Sequence, residues 1–117
     1  MIKSNIINLN SYIRMSSIKE SFEDSCLYVT GEEELSKVLE HTNVIFENSQ
    51  LKNEFFESLQ LKDLKYTIIN CLSSTELFES MLYESDGLVI FDNVCCCRNN
   101  EILEQVIGYK KKKMLVC

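Results

Sequence analysis

The sequence predicts a three-layer α/β/α fold, in which a mostly parallel sheet of about five strands lies between two layers of helices. Short apolar runs alternate with segments whose apolar residues recur at helical spacing, a pattern typical of βαβ crossovers. The absence of proline and the presence of only three glycines favour compact connections. The length of 117 residues, with 45% hydrophobic and 26% charged residues, predicts a single α/β domain over 1–117.

Residues 1–24 are the least regular part of the predicted domain. Scattered apolar residues among asparagine and serine indicate a short strand or an irregular lead-in over 1–15. A short helix is predicted over about 16–23, because Ile18 and Phe22 fall on one helical face. Repeated βα units then occupy 25–117.

The first two βα units follow one another directly. The β-rich run 26–30 ends at Gly31, and Thr30 and Glu33 have the spacing of a capping box for the next helix. That helix has a predicted apolar face formed by Leu35, Val38 and Leu39. A second strand is predicted over 43–47, before a helix with a predicted apolar face formed by Leu51, Phe55, Phe56 and Leu59.

The remaining units have the same organisation. A third strand is predicted over 66–71, and Ser73 is expected to cap the next helix, whose buried stripe comprises Leu77, Phe78, Met81 and Leu82. The run 87–93 has four apolar residues without a period, which is typical of a strand buried on both faces, and we expect it to be the central strand. A helix with Ile102, Leu103, Val106 and Ile107 on one face and a solvated lysine loop then lead to a last strand over 114–117.

Candidate functional residues lie where the predicted strands end, because ligands of open α/β sheets bind at the carboxyl ends of the strands. Asp92 is the best single candidate, and Glu47 and Asn48 follow the second strand. Each carboxylate also has an ordinary alternative, since Asp92 can cap the next helix and Glu47 can lie exposed at a loop mouth. His41 has no nucleophile linked to it by a motif, so no catalytic residue is predicted.

The six cysteines do not have the spacing of a zinc site, and no metal site is predicted from them. We expect reduced, mostly buried thiols, because free cysteine behaves as a small hydrophobic residue. The adjacent Cys95, Cys96 and Cys97 are expected to pack under a loop, with a reactive thiol among them as the alternative. Reduced thiols indicate a cytoplasmic protein.

The charge distribution restricts the partners of the chain. The net charge of −6 is spread without a basic face, which disfavours nucleic-acid binding by this domain alone. No apolar run approaches the length of a membrane span and no signal-peptide pattern opens the chain, so neither export nor membrane insertion is expected. The partner that remains is a protein, and a homodimer is one form of this interaction.

From residue 43 to 117 the pattern resembles a response-regulator receiver domain, which has a CheY-like, flavodoxin-like fold. Glu47 and Asn48 stand where that family has an acidic pair, and Asp92 stands where it has the phosphoacceptor aspartate. The resemblance implies a vestigial phosphoacceptor or metal site at these three residues, with Mg²⁺ as cofactor only if the site is active. Because one carboxylate replaces the pair that holds the ion, the resemblance implies a degenerate receiver.

A second resemblance, over residues 26–117, is to the core of AAA+-type P-loop ATPases. The run 31–38 resembles an eroded P-loop with Gly31, Ser36 and Lys37 as its vestiges, 88–93 resembles a Walker B strand, and 114–117 resembles the sensor strand that follows. Ser36 replaces a glycine and Val38 replaces the hydroxyl residue, while the three glutamates at 32–34 would repel a polyphosphate. This resemblance implies a relative that has lost nucleotide hydrolysis.

We therefore predict a non-enzymatic regulatory or protein-interaction domain, a degenerate receiver-like module of signal transduction without phosphoacceptor activity and without a cofactor. Two alternatives stay open. One is a degenerate P-loop NTPase-like domain, and the other is a small acidic binding protein of the immunity or antitoxin type.

Overall fold

The computed structural model describes residues 26–117, so the lead-in and the short helix predicted within 1–24 lie outside the described residues. The strands are β1 (Leu27–Val29), β2 (Asn43–Phe46), β3 (Tyr66–Asn70), β4 (Leu88–Asp92) and β5 (Lys113–Val116). The α-helices of this part of the chain are α1 (Leu35–Val38), α2 (Ser49–Leu59), α3 (Thr75–Glu84) and α4 (Asn100–Gly108), and a 3₁₀ turn spans Val94–Cys96. The predicted alternation of strands and helices is confirmed.

All strand pairs are parallel, and the strand order in the sheet is β1-β2-β5-β4-β3. The prediction that β4 is the central strand is wrong, because β5 inserts between β2 and β4. Val44 of β2 pairs with Val116 of β5, and Val89 of β4 pairs with Lys113 on the other side of β5. The five residues of β4 are nevertheless all buried, as a strand covered on both faces requires.

The sheet order also determines which helices share a face. The chain moves across the sheet from β1 to β3 and then returns through β4 to β5. Because parallel crossovers are right-handed, the outward and returning helices cover opposite faces. The two core clusters agree with this rule: Val38, Phe55 and Leu59 of α1 and α2 pack on one face, and the other face carries Phe78, Ile102, Leu103 and Val106 of α3 and α4. This arrangement confirms the predicted three layers.

Two helices begin differently from their predicted caps. The Thr30–Glu33 pattern forms a turn ahead of α1, whose N-cap is Glu34, and no side chain caps that helix. Helix α3 is capped by Ser74 and not by Ser73, since the Ser74 hydroxyl accepts a hydrogen bond from the Leu77 backbone N–H at 3.2 Å. The prediction that Leu77 belongs to the buried stripe is wrong: Leu77 is 50% exposed, because its neighbour Phe78 points inward and stacks on Phe91.

Three of the four described α-helices provide large buried side chains to the core. Phe78 of α3, Leu59 of α2, and Ile102 and Leu103 of α4 are among the largest fully buried residues. Within residues 26–117, no helix is long and apolar enough to span a bilayer.

Candidate functional site

The candidate site is built on Asp92, the last residue of β4 and the buried charged residue of the described chain. The apolar residues of β4 fix the strand in the core and carry the carboxylate to the carboxyl edge of the sheet. Asn93 follows in the left-handed conformation, with φ of 61°, and turns the chain into the 3₁₀ turn. In this turn the Asn93 backbone N–H donates a hydrogen bond of 2.8 Å to Asp92 Oδ1.

Lys52 is the ionic partner of Asp92. Its Nζ lies 3.0 Å from Asp92 Oδ1 and also donates a hydrogen bond of 3.2 Å to Asn93 Oδ1. The side chains are 19% exposed for Lys52 and 12% for Asp92, so most of this ion pair is removed from water. Lys52 belongs to α2, which follows β2, and its side chain therefore extends past the end of β5 to reach β4.

Amide groups connect this ion pair to the end of β3. Asn93 Nδ2 donates a hydrogen bond of 3.0 Å to Asn70 Oδ1, which also accepts one from the Leu72 N–H. The Cys71 backbone N–H donates to the Asp92 carbonyl oxygen at 2.9 Å. Hydrogen bonds thus join a side chain from the first turn of α2 to side chains at the ends of β3 and β4.

A cavity opens beside Lys52, at the point where the strand order reverses between β2 and β5. Such switch points are where open α/β sheets form ligand crevices. The cavity has a volume of about 210 Å³ and is lined by Phe46, Asn48, Ser49, Lys52 and Cys117. Asn48 caps α2, because its Oδ1 accepts a hydrogen bond of 2.9 Å from the Leu51 N–H.

Glu47 and Asp92 do not lie side by side in the structure, because the strands that precede or carry them, β2 and β4, are not adjacent. In the 2-1-3-4-5 order of receiver-type sheets, the first and third strands are adjacent, whereas β5 separates β2 from β4 here. Two strand spacings amount to roughly 10 Å. Glu47 is exposed, and no group of three or more metal-ligating side chains within 26–117 could hold a metal ion.

The residues of the predicted eroded P-loop lie elsewhere on the same edge. Gly31 follows β1, the edge strand, and has φ of 108°, while Ser36 and Lys37 are exposed on α1. Two strands, β2 and β5, lie between β1 and the strand that ends in Asp92. The lysine that contacts Asp92 is Lys52, which sequence reasoning missed. A search for cations on every helix that follows a strand would have included it.

The cysteines depart from the predicted reduced state. Cys95 and Cys117 form a disulfide with a Cα–Cα distance of 5.2 Å, and the prediction is wrong for these two residues. The physical reason is that β4 and β5 are parallel neighbours, so the segments that follow them meet at one edge.

The other thiols are free: Cys26, Cys71 and Cys97 are buried and Cys96 is exposed. Burial raises the pKa of the Cys71 thiol, and the nearby Cys97 and Asp92 raise it further. Cys71 is therefore an inert core thiol.

Comparisons of the chain with protein-family models, curated proteins and solved structures find no match.

Proposed function

We propose that this chain is a non-enzymatic regulatory or protein-interaction domain whose former phosphate site is filled by an internal salt bridge. The observation that carries the proposal is the 3.0 Å contact between Lys52 Nζ and Asp92 Oδ1. A carboxylate paired with a mostly buried lysine can accept a phosphoryl group or ligate Mg²⁺ only at the cost of breaking that pair. The same cost applies to the use of Lys52 as a phosphate ligand, because its ammonium group is occupied by Asp92.

Between the two resemblances, the positions of Lys52 and Asp92 favour a degenerate P-loop domain over a degenerate receiver. In P-loop NTPases, a lysine on the helix after a strand binds phosphates, and an aspartate at the end of another strand holds Mg²⁺. Lys52, on the helix after β2, and Asp92, at the end of β4, have this relation. If Lys52 corresponds to the P-loop lysine, the eight residues of the P-loop motif G-x-x-x-x-G-K-[ST] fall on 46–53.

The run 46–53 lacks the groups that bind and hydrolyse a nucleotide. It contains no glycine, and Asn53 stands where the P-loop has its hydroxyl residue. The Leu51 N–H, which could face a phosphate, is already bonded to Asn48 Oδ1. The exposed Glu47 carboxylate adds a charge that repels polyphosphate. These features support a domain without nucleotide hydrolysis and without a cofactor.

Thermal unfolding with nucleotide and Mg²⁺ tests the loss of the site. A ligand that binds only the native state raises stability, so ATP, ADP and GTP with Mg²⁺ are expected to leave the midpoint unchanged and to show no turnover. Lys52→Met is the site variant, and Lys65→Met, at an exposed lysine, is its matched control. Saturable stabilisation that Lys52→Met abolishes and Lys65→Met retains would show an active nucleotide site.

A beryllofluoride and Mg²⁺ titration separates the receiver interpretation from the P-loop interpretation. Beryllofluoride mimics an aspartyl phosphate, and we expect no binding because Asp92 is paired with Lys52. Saturable binding that disappears in Asp92→Asn would identify a working receiver and contradict the proposal.

The proposed partner is a protein in the cytoplasm, with a homodimer as one form of the interaction. Sedimentation over a range of concentrations measures self-association, and affinity capture under native conditions identifies a different partner. We expect the complex to survive in Lys52→Met and Asp92→Asn, because the salt bridge stabilises the domain and does not contact the partner. Loss of the complex in both variants, with the fold retained, would place the partner at the salt bridge.

An immunity- or antitoxin-type function is the second candidate, supported by exposed acidic residues on the carboxyl edge. Glu32, Glu34 and Glu47 are all exposed and follow β1 or β2. A basic protein would be attracted by such a surface, and the association rate would fall with rising salt. Recovery of a stoichiometric complex with a basic protein whose activity is thereby blocked would favour this function.

A further inference from the structure

The Cys95–Cys117 disulfide lies next to the cavity beside Lys52, because Cys117 is one of the residues that line this cavity. Cys95 is in the 3₁₀ turn, which starts two residues after Asp92, and Cys117 directly follows β5. Cys117 lines the cavity together with Lys52, and its backbone N–H donates a hydrogen bond of 3.0 Å to the Val44 carbonyl of β2. The disulfide therefore connects the turn after β4 to the strand end that closes the switch point.

The accessibility of the six cysteines separates this pair from the others. Cys26, Cys71 and Cys97 are buried, whereas Cys95 and Cys117 are half-buried and Cys96 is exposed. A small thiol or disulfide can thus reach the bridge without unfolding of the core. The Cα–Cα distance of 5.2 Å lies in the range in which two cysteines bridge without backbone movement.

We propose that Cys95 and Cys117 are a reversible thiol–disulfide modification site that takes low-molecular-weight disulfides and thiols as substrates and controls access to Lys52. This site is independent of nucleotide and of any protein partner.

In oxidation, the Cys95 thiolate attacks one sulfur of a small disulfide, forms a mixed disulfide and releases one small thiolate. The Cys117 thiolate then attacks the Cys95 sulfur and releases the second small thiol. Two protons leave the protein thiols, and two electrons reduce the small disulfide to two thiols.

The two redox states differ in what holds the end of β5. In the oxidised state, the bridge fixes Cys117 against the turn that follows Asp92. In the reduced state, Cys117 is held by its backbone hydrogen bond to Val44 and by its packing, so the cavity wall can move away from Lys52. Oxidation is thereby expected to shield Lys52 and reduction to expose it.

Differential alkylation tests the modification site. Purified protein is treated with oxidised glutathione or with dithiothreitol, alkylated and mapped by mass spectrometry. We expect glutathione disulfide to remove Cys95 and Cys117 from the alkylatable thiols and to leave Cys96 reactive, and dithiothreitol to reverse the change without unfolding the protein. Failure to form the bridge, a bridge that includes Cys96, or reduction only after denaturation would overturn the proposal.

Acetylation of lysines by a small acylating reagent tests the control of access. The rate at Lys52 is expected to rise severalfold on reduction, while the rate at Lys65, whose side chain is 80% exposed, stays unchanged. Cys95→Ser and Cys117→Ser should behave like reduced protein in both redox conditions, and Cys96→Ser should respond like wild type. Equal rates at Lys52 in the two states of the wild-type protein would overturn the control of access, whether or not the variants fold.

Discussion

Two strand ends at the same edge of the sheet are stabilised in opposite ways. After β1, a residue with positive φ, Gly31, is followed by Glu33, which accepts hydrogen bonds from the backbone N–H groups of Thr30 and Gly31 at 2.9 and 3.1 Å. After β4, the positive-φ residue is Asn93, and its partners come from distant parts of the chain. Lys52 is 41 residues away and Asn70 is 23 residues away.

The comparison shows that two turns, each with a positive-φ residue, can be stabilised by contacts of very different sequence separation. The β1 turn is made by neighbours in sequence, so it can form as soon as its own residues are present. The β4 turn is held by side chains that meet only when β2, β3, β4 and β5 have assembled. We therefore expect substitutions that disturb local contacts and those that disturb distant contacts to change the free energy of unfolding by different amounts.

Alanine substitution at two positive-φ glycines is the strongest contrast. At Gly87 a Cβ atom would clash with the Lys65 carbonyl oxygen of the backbone, whereas at Gly31 the nearest atom is the flexible Leu51 Cδ2 at 3.2 Å. We expect Gly87→Ala to lower the free energy of unfolding by more than about 3 kcal/mol and Gly31→Ala by about 1 to 2 kcal/mol. Urea denaturation measures both. Equal losses at the two positions would show that the clash with the Lys65 carbonyl oxygen adds nothing to the cost of the positive φ at Gly87.

Reduction of the Cys95–Cys117 disulfide is expected to cause the next largest loss in the free energy of unfolding. The bridge closes a loop with a sequence separation of 22, for which chain entropy predicts a loss of about 3 kcal/mol on reduction. Urea denaturation with and without dithiothreitol gives the difference. Cys96→Ser, beside the bridge, should show the same difference as wild type, and an unchanged stability on reduction would contradict the expectation.

A double-mutant cycle compares the partly buried ion pair with an exposed one. For Lys52→Met and Asp92→Asn we expect a coupling free energy of about 2 kcal/mol, because removal of one partner leaves the other poorly solvated. The control pair is Lys65 and Asp86, whose side chains are 80% and 75% exposed, and its coupling should be below about 0.5 kcal/mol. Similar coupling free energies in the two cycles would show that partial burial does not strengthen the Lys52–Asp92 pair.

The local turn after β1 should show the smallest effect, and one that depends on pH. Partial burial raises the pKa of the Glu33 carboxyl, but hydrogen bonds from Thr30 and Gly31 outweigh it, so that the net pKa is lowered. A lowered pKa contributes stability above the ordinary glutamate value of about 4.3 that is lost as the pH falls through the folded value.

The measurement for this turn is the stability of Glu33→Gln across pH. We expect a loss of less than about 1 kcal/mol at neutral pH, because the Glu33 carboxylate is only partly buried and solvent screens its interactions, and a smaller difference in acid. Glu32→Gln, at an exposed neighbour, is the control. A difference between wild type and Glu33→Gln that grows as the pH falls would contradict the assignment.

Local pattern was enough to predict the strands and helices of the described residues. The predicted bounds of these five strands agree with the observed ones within one or two residues, because short apolar runs between polar turns leave little choice of secondary structure. The wrong predictions concern the exact position of a helix cap and the pairing of distant strands. The prediction of Ser73 as a cap is wrong because Ser74 has the required backbone geometry, and the sequence does not predict the strand order because pairing between distant runs leaves no periodic signal.

The candidate site was predictable only in part for the same reason. The sequence predicts Asp92 as a site residue because a carboxylate that ends a buried strand is unusual within a single stretch of sequence. Lys52 and the Cys95–Cys117 bridge were missed because each depends on β5 lying between β2 and β4. A lysine on an amphipathic helix looks like an ordinary surface residue until the distant aspartate is placed beside it.

The central position of β5 has a consequence for synthesis on the ribosome. β5 is the last of the described strands in chain order, yet it pairs with both β2 and β4. Until it emerges, the nascent chain can form two separate parallel pairs, β1 with β2 and β3 with β4, whose inner edges are unpaired. Domains fold during translation as their parts become available. We therefore expect nascent chains that stop before Lys113 to need protection from chaperones, and the sheet to close in one late step when β5 inserts.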